Sequence, residues 1–285
     1  MPSTRTRTVT IGHTPDMDDA FMFYAMAKRL IPLDGIAVKH VIEDIQALNV
    51  HSAKGELDVT AISAATYPSV ADKYAILSVG SSVGRNYGPL VIARSNRRVM
   101  DLIGRTIAVP GLKTTAALLL QLAVPGCTLI EMDFTQVPQA VLDGKADAGL
   151  VIHEWQLTYR DAGLVPIIDL GMWWQEQTRL PIPLGLNVVK RSLGCELGVQ
   201  IATLLFKSIR YGQQHLDDAL AYAMQYGRGT DVVRSKQFVG MYVNEDTLYF
   251  PQPCRDALQE LFARAKDIKL ISAIPPLDLI EPHIL

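Results

Sequence analysis

Apolar runs of strand length alternate along this chain with stretches whose apolar residues recur at helical spacing, the pattern of βαβ units. Val9 to Gly12 reads as the first strand and Asp18 to Leu30 as the first helix, with Phe21, Ala25 and Lys28 at helical spacing. Val38 to Val41, Val59 to Ile62 and Leu90 to Ala93 are further strands, with helices predicted over Ile45 to Ala53 and Ala64 to Asp72. A second set begins near Arg94. Strands at Thr106 to Val109, Thr128 to Met132 and Ala148 to Ile152 enclose helices at Thr114 to Leu122 and Val137 to Leu142. Pro181, Pro183 and Gly185 break the pattern, and strand Leu186 to Lys190 is expected to return the chain to the first set. From Leu193 onward the pattern is helical, and these helices are expected to pack on the first lobe. The alternation predicts an α/β protein with a mainly parallel sheet.

At 285 residues the chain exceeds what a single core usually spans, so two lobes are expected. Residues 1–93 with 184–285 would form the first, larger lobe, and 94–183 the second, with a ligand cleft between them. A short internal echo supports the pairing: Gly55-Glu56-Leu57-Asp58-Val59-Thr60 resembles Gly144-Lys145-Ala146-Asp147-Ala148-Gly149. In each, a glycine suited to a left-handed helix cap and an Asp turn lead into a strand that ends at a polar residue, Ser63 in one and His153 in the other.

Charge narrows the partners. Lys and Arg number 27 against 29 Asp and Glu, which leaves no basic surplus for nucleic acid. The densest basic group, Arg5, Arg7, Arg97 and Arg98, reads as solvated surface. Met1 to Thr10 is polar and basic with no apolar core, which points to a cytoplasmic protein. The longest apolar run, Ala116 to Val124, is interrupted by Gln121 and falls short of the ~20 residues of a membrane span. Cys127, Cys195 and Cys254 are far apart, without metal-ligand spacing, and read as free thiols.

Two places carry candidate chemistry. Pro110-Gly111-Leu112-Lys113-Thr114-Thr115 follows a strand and opens a helix, so free N–H groups and two hydroxyls converge on a site for a small anion. It lacks the spacing of a P-loop or a dinucleotide fold. His153 ends an apolar strand, and an imidazole there titrates near neutral pH and can accept a proton. Structural roles also fit: Thr114 as a helix cap, and His153 as a hydrogen-bonded strand end. His13 ends the first strand, and Arg85, Asn86 and Tyr87 precede a crossover; Trp173 and Trp174 read as a packed helix end.

The segment His153-Glu154-Trp155-Gln156-Leu157-Thr158-Tyr159 resembles a signature of the 1,4-dihydroxy-6-naphthoate synthase family of the futalosine pathway of menaquinone biosynthesis. Gly12 to Tyr24, Ile42-Glu43-Asp44 through Leu48-Asn49, Gly55 to Ser63, Gly84 with Gly88-Pro89-Leu90, Val109-Pro110-Gly111 with Thr114-Thr115-Ala116, Asp169-Leu170-Gly171 with Trp173-Trp174, Leu180 to Gly185, and Tyr242-Val243-Asn244 are similar in the same order. The resemblance implies a two-lobed periplasmic-binding-protein-like (type II) fold used as a lyase. It implies cleavage of cyclic dehypoxanthine futalosine to 1,4-dihydroxy-6-naphthoate, without metal or organic cofactor. By matching position it implies His153 as proton acceptor, Thr114 and Thr115 holding the substrate, Ala61, Ile62 and Ser63 on the opposite wall, and Asn49 as a further polar contact. The chain departs from the family pattern at Met17-Asp18-Asp19-Ala20, at Ala61 and at Trp155. The extra carboxylate and a missing ammonium predict a more acidic first-lobe wall, with Asp18 and Asp19 also suited to helix capping. A non-catalytic binding protein for a small anion would use the same fold, and His153 separates the two: its loss should abolish turnover in an enzyme and alter only affinity in a binder.

Overall fold

Helix caps and left-handed corners set the path of the first lobe. In a computed structural model, which describes residues 6–284, the chain opens with β1 (Arg7–His13), α1 (Met17–Ala27), β2 (Ile36–Ile42), α2 (Ile45–Lys54) and β3 (Val59–Ser63). Arg5 of the expected basic group and the first five residues of the amino-terminal segment lie outside the described residues. Asp16 caps α1 by accepting from Asp19 N–H, and Asp44 caps α2 by accepting from the N–H groups of Gln46 and Ala47. Gly55 ends α2 at φ 70°, a left-handed corner that costs glycine little.

β4 (Tyr74–Leu77) and β5 (Ser82–Gly84) complete this stretch, and β6 (Leu90–Ala93) enters a second sheet. There β7 (Thr106–Val109), α3 (Thr115–Ala123), β8 (Thr128–Glu131), α4 (Val137–Leu142) and β9 (Ala148–Val151) repeat the opening order. After α5 (Trp155–Thr158), β10 (Val165–Asp169) and α6 (Leu170–Thr178), β11 (Ile182–Lys190) returns to the first sheet. The helices α7 (Cys195–Gln214), α8 (Leu216–Ala223), α9 (Val232–Tyr242), α10 (Glu245–Tyr249) and α11 (Gln252–Asp267) and the short β12 (Leu279–Ile280) finish the described chain.

Among the described residues the strands make two sheets. One runs β12-β4-β11-β3-β1-β2 with β5 beside β11, the other β10-β6-β9-β7-β8. Both are mixed, which corrects the expectation of a mainly parallel sheet: β11 lies antiparallel to β3, β4 and β5, and β6 antiparallel to β9 and β10. These are the strands on which the chain changes sheets. The expected boundary after residue 93 also moves, because Leu90–Ala93 pairs with β9 and β10 and so belongs to the second sheet. The helix expected over Ala64 to Asp72 is a short 3-10 helix, Ala64–Ser69, in which Pro68 supplies no N–H donor.

The internal echo is structural. Asp58 accepts from Thr10 N–H of β1 at 2.9 Å, and Asp147 accepts from Thr106 N–H of β7 at 3.1 Å, so each Asp locks its strand to the matching parallel neighbour. Gly55 and Gly144 (φ 72°) turn the preceding helices into those corners. β2-β1-β3 and β8-β7-β9 thus share one order and direction.

Two apolar clusters explain the packing. Phe21 and Met22 of α1 bury against Ile209, Leu220 and Phe238 of α7, α8 and α9, so these carboxyl-terminal helices do pack on the first lobe. A second cluster runs under both sheets, joining Ile62, Ile76 and Val188 to Val91, Ile107 and Leu150 through Leu119 of α3 and Phe262 of α11. Among the described residues no helix is long and apolar enough to cross a membrane.

Candidate active site

Parallel strands expose their carboxyl ends, and the helices that follow present free amides, so the space between two such edges collects polar groups. Here the carboxyl ends of β1, β3, β7 and β9 and the starts of α1 and α3 surround one cavity. Its lining includes Asp16, Asp18 and Asp19 from α1 and its cap, Ala61, Ile62 and Ser63 from β3, Thr114 and Thr115 at α3, and His153 after β9.

His153 has φ 55°, a left-handed conformation uncommon for a residue with a side chain, and its Nδ1 lies 2.8 Å from Asp16 Oδ2. A buried carboxylate can only accept, so Nδ1 carries the proton, and Nε2 is left with its lone pair when the ring is neutral. Burial alone would lower the pKa of His153, but the charge and hydrogen bond of Asp16, helped by Glu154, outweigh it and raise the value above 6.5, with Arg228 opposing. Burial would likewise raise Asp16, yet the charge and hydrogen bond of His153 hold it below the usual carboxylate range. Phe134 meets the imidazole edge-on, with ring centroids 5.1 Å apart.

The two neighbouring carboxyls behave differently. Burial, then the charge of Asp16, raises Asp19 to about 7, although it accepts from both the N–H and the hydroxyl of Thr14. Burial and the charges of Asp16 and Asp19 raise Asp18 well above its ordinary 3.8. The expected acidic wall is therefore corrected: low dielectric and mutual repulsion push two of these groups toward their neutral forms, and neither is the cap, which is Asp16. One donor atom each of Asp16, Asp18 and His153 falls within a 4.8 Å span, close enough for a shared cation, but Asp16 and His153 are already joined by a proton.

Ala61, Ile62, Ser63, Thr114, Thr115 and His153 all reach the cavity; Asn49 does not. Fully buried, Asn49 donates to Ser63 Oγ at 3.0 Å and accepts from Ser63 N–H at 2.8 Å, which leaves the Ser63 hydroxyl proton free to donate. Both threonine hydroxyls are committed. Thr114 accepts from Ala117 N–H and donates to the Gly111 carbonyl, as a helix cap does. Thr115 donates to the Leu184 carbonyl at 2.6 Å and accepts from Ala65 N–H at 3.1 Å, across to the first lobe. What α3 offers an anion is its first-turn amides, Thr115 and Ala116 N–H, which have no partner among the described residues.

His13 lies outside the cavity, hydrogen-bonded to His40 and stacked on Phe23, with burial, then His40, lowering its pKa to about 4. Arg85 turns away to fork onto Asp246, and Trp174 is buried, donating to the Pro181 carbonyl. Sequence reasoning assigned no role to three residues. Asp16 was hidden within a capping pattern. Arg228, between α8 and α9, donates to Glu154 Oε1 and to the Pro15 carbonyl, both at 2.7 Å, and lies over the Phe134 ring. Tyr242 lines the cavity and donates to Gln156 Oε1 at 2.9 Å. No local signal marks Arg228, because it acts on residues far away in the chain; Tyr242 opens Tyr242-Val243-Asn244, which resembles a carboxyl-terminal segment of the family.

Two mixed sheets joined by crossover strands, with one cleft at the carboxyl ends of their parallel strands, define a periplasmic-binding-protein-like fold of the second type. The alkanesulfonate-binding protein of Xanthomonas axonopodis pv. citri, solved with MOPS bound, shares that fold at 13% identity, with a TM-score of 0.71 over 96% of this chain and 98% of that one. The chain belongs to the menaquinone biosynthesis family, whose profile matches residues 9–267. It is 37% identical to the 1,4-dihydroxy-6-naphtoate synthase of Streptomyces coelicolor, over 94% of this chain and 96% of that protein. It is 34% identical to the enzyme of that name from Thermus thermophilus, over 93% and 96%. A crystal structure of an Archaeoglobus fulgidus protein is 46% identical, with a TM-score of 0.88 over 95% of this chain and all of that one.

Proposed function

We propose that this chain is a cytoplasmic lyase that converts cyclic dehypoxanthine futalosine to 1,4-dihydroxy-6-naphthoate, with His153 as general base and no organic cofactor. The substrate is the one implied by the family resemblance, and the relatives that carry the synthase name match along nearly their whole length. The observation that carries the reading is the 2.8 Å bond from His153 Nδ1–H to Asp16, which fixes the tautomer of a cavity-lining imidazole. Nε2 removes a proton from a carbon of the substrate, and the positive charge that develops on the ring is held by Asp16. The substrate carboxylate lies at the start of α3, on the amides of Thr115 and Ala116, with the Ser63 hydroxyl opposite. Glu154 is not a rival base, because its carboxylate is tied to Arg228 outside the cavity lining.

Incubating the protein with cyclic dehypoxanthine futalosine should yield the naphthoate by mass spectrometry. His153→Ala should lower single-turnover rate by at least about a hundredfold, with calorimetric affinity changed far less. Tight binding without product in the wild type would make the chain a binding protein. Near-normal turnover in His153→Ala would remove the base.

A further inference from the structure

Asp18 has no part in the chemistry assigned to His153, yet it is the more unusual group. It sits in the first turn of α1, lines the cavity and is 7% exposed. Its Oδ2 accepts from the Ser82 hydroxyl at 3.3 Å, and its buried Oδ1 has no hydrogen-bond partner among the described residues. A buried carboxyl that stays charged needs a cation or several donors. Among the described residues the cavity lining holds no lysine or arginine, and the donors to Asp18 are the Ser82 hydroxyl and its own backbone N–H.

The charged and titratable groups around Asp18 all point the same way. Asp16 and Asp19 on its own helix start repel a further negative charge, and a hydrogen bond with the Asp16 carboxylate also favours the protonated form of Asp18. His153, across the cleft, has its Nδ1–H committed to Asp16. Tyr242 of α9 is held protonated by burial and donates to Gln156, while Ser82 of β5 is neutral. Arg228 is engaged by Glu154 and Pro15. With Asp16 ionised against His153, the second carboxyl keeps its proton and is able to donate it in a hydrogen bond.

We infer that Asp18 acts as a neutral carboxylic acid whose O–H donates to an uncharged oxygen of the substrate, a carbonyl adjoining the carbon that His153 deprotonates. The inference rests on the reading of His153 as base. The proton balance is simple: one proton moves from carbon to His153 Nε2, the electron pair it leaves spreads onto the neighbouring oxygen, and Asp18 keeps its proton while its hydrogen bond to that oxygen shortens. Such a donor is stronger in the transition state than in the ground state, which is what lowers a barrier. It also orients the ligand. The anionic end belongs on the second-lobe amides at α3, and the carbon to be deprotonated, with its neighbouring carbonyl, faces α1.

The test uses the whole protein with Asp18→Asn, which keeps shape and a donor but cannot ionise, and Asp18→Ala, which removes both. Infrared difference spectra of the resting wild type against Asp18→Asn should show the carbonyl stretch of a protonated carboxylic acid. Asp18→Ala should lower kcat by about 10² to 10³-fold, and Asp18→Asn should keep it within about tenfold of wild type. The wild-type kcat/KM should fall at alkaline pH as Asp18 ionises, and Asp18→Asn should lose that limb while keeping the acid limb set by His153. An Asp18→Asn protein as inactive as Asp18→Ala, or a resting protein without the carbonyl band, overturns the inference. So does activity lost to a chelator and restored by a divalent cation, which would make Asp18 an ionised ligand. His153→Ala reads the base separately: if it retains turnover the base is lost, while the infrared band still reports on Asp18.

Discussion

The two oxygens of Asp16 serve different elements. Oδ1 accepts from Asp19 N–H at 3.4 Å and starts α1, while Oδ2 accepts from His153 at 2.8 Å across the cleft. Asp16→Asn removes the charge that raises the imidazole pKa, and burial, the largest opposing influence, then draws it downward. His153 works as a base only when neutral, so in the wild type kcat/KM should rise with pH through a value above 6.5. In Asp16→Asn that acid limb should move to lower pH, and the plateau should drop by about a hundredfold because the imidazolium has lost its counter-charge. An unmoved acid limb, measured from kcat/KM against pH, would separate Asp16 from the base. At this scale the sequence revealed only part of the site. His153 was legible as a polar residue ending an apolar strand, and Ser63 as its counterpart in the echo. Asp16 was not, since a cap signals its helix and says nothing of where its second oxygen points.

Strands and helices were legible where periodicity and caps set them, as at β1, α3 and β9, but strand direction leaves no local trace. β6 and β11 became antiparallel through the order in which the chain visits the sheets. The turn between α8 and α9 had no legible function either, yet it is tied to the site. Arg228, at φ 46°, pairs with Oε1 of Glu154, whose side chain is 4% exposed and whose Oε2 has no hydrogen-bond partner among the described residues. Removing one partner of such a pair leaves a buried charge alone, whereas removing both does not. Arg228→Met should therefore destabilise the protein by about 2 to 3 kcal/mol, and adding Glu154→Gln should recover more than half of that loss. Thermal unfolding of the four members of this double-mutant cycle checks it. Equal stability of the single and double variants would show that the pair is not coupled. Turnover should fall in Arg228→Met as well, because the same guanidinium holds the Pro15 carbonyl beside Asp16 and covers Phe134 beside His153.

At the scale of the molecule, the two halves meet through crossed contacts. The cap of α1 in the first lobe reaches His153 after β9, and the start of α3 in the second lobe reaches Ala65 just after β3. Each helix start thus touches the chain beyond the equivalent strand of the opposite half. Around them, Gln46 donates to Glu131 and accepts from Lys113 N–H, and Thr66 donates to the Lys113 carbonyl. If substrate entry parts these contacts, the apolar cluster beneath both sheets is the floor about which the halves turn. The expected opening is a rotation about β6, β11 and that floor, which binding should reverse. Thr115→Val keeps the size of the side chain but strips out the hydroxyl that bridges Ala65 N–H and the Leu184 carbonyl. If that hydroxyl is a latch, free Thr115→Val should scatter X-rays with a larger radius of gyration than free wild type. Saturating ligand should bring both to the same smaller value, with affinity weakened by about tenfold from the added closure cost. If the hydroxyl instead grips the substrate, the free proteins will scatter alike and only affinity will fall. A wild-type radius that stays constant from free to saturated would show that the cleft is rigid and that the crossed contacts are permanent.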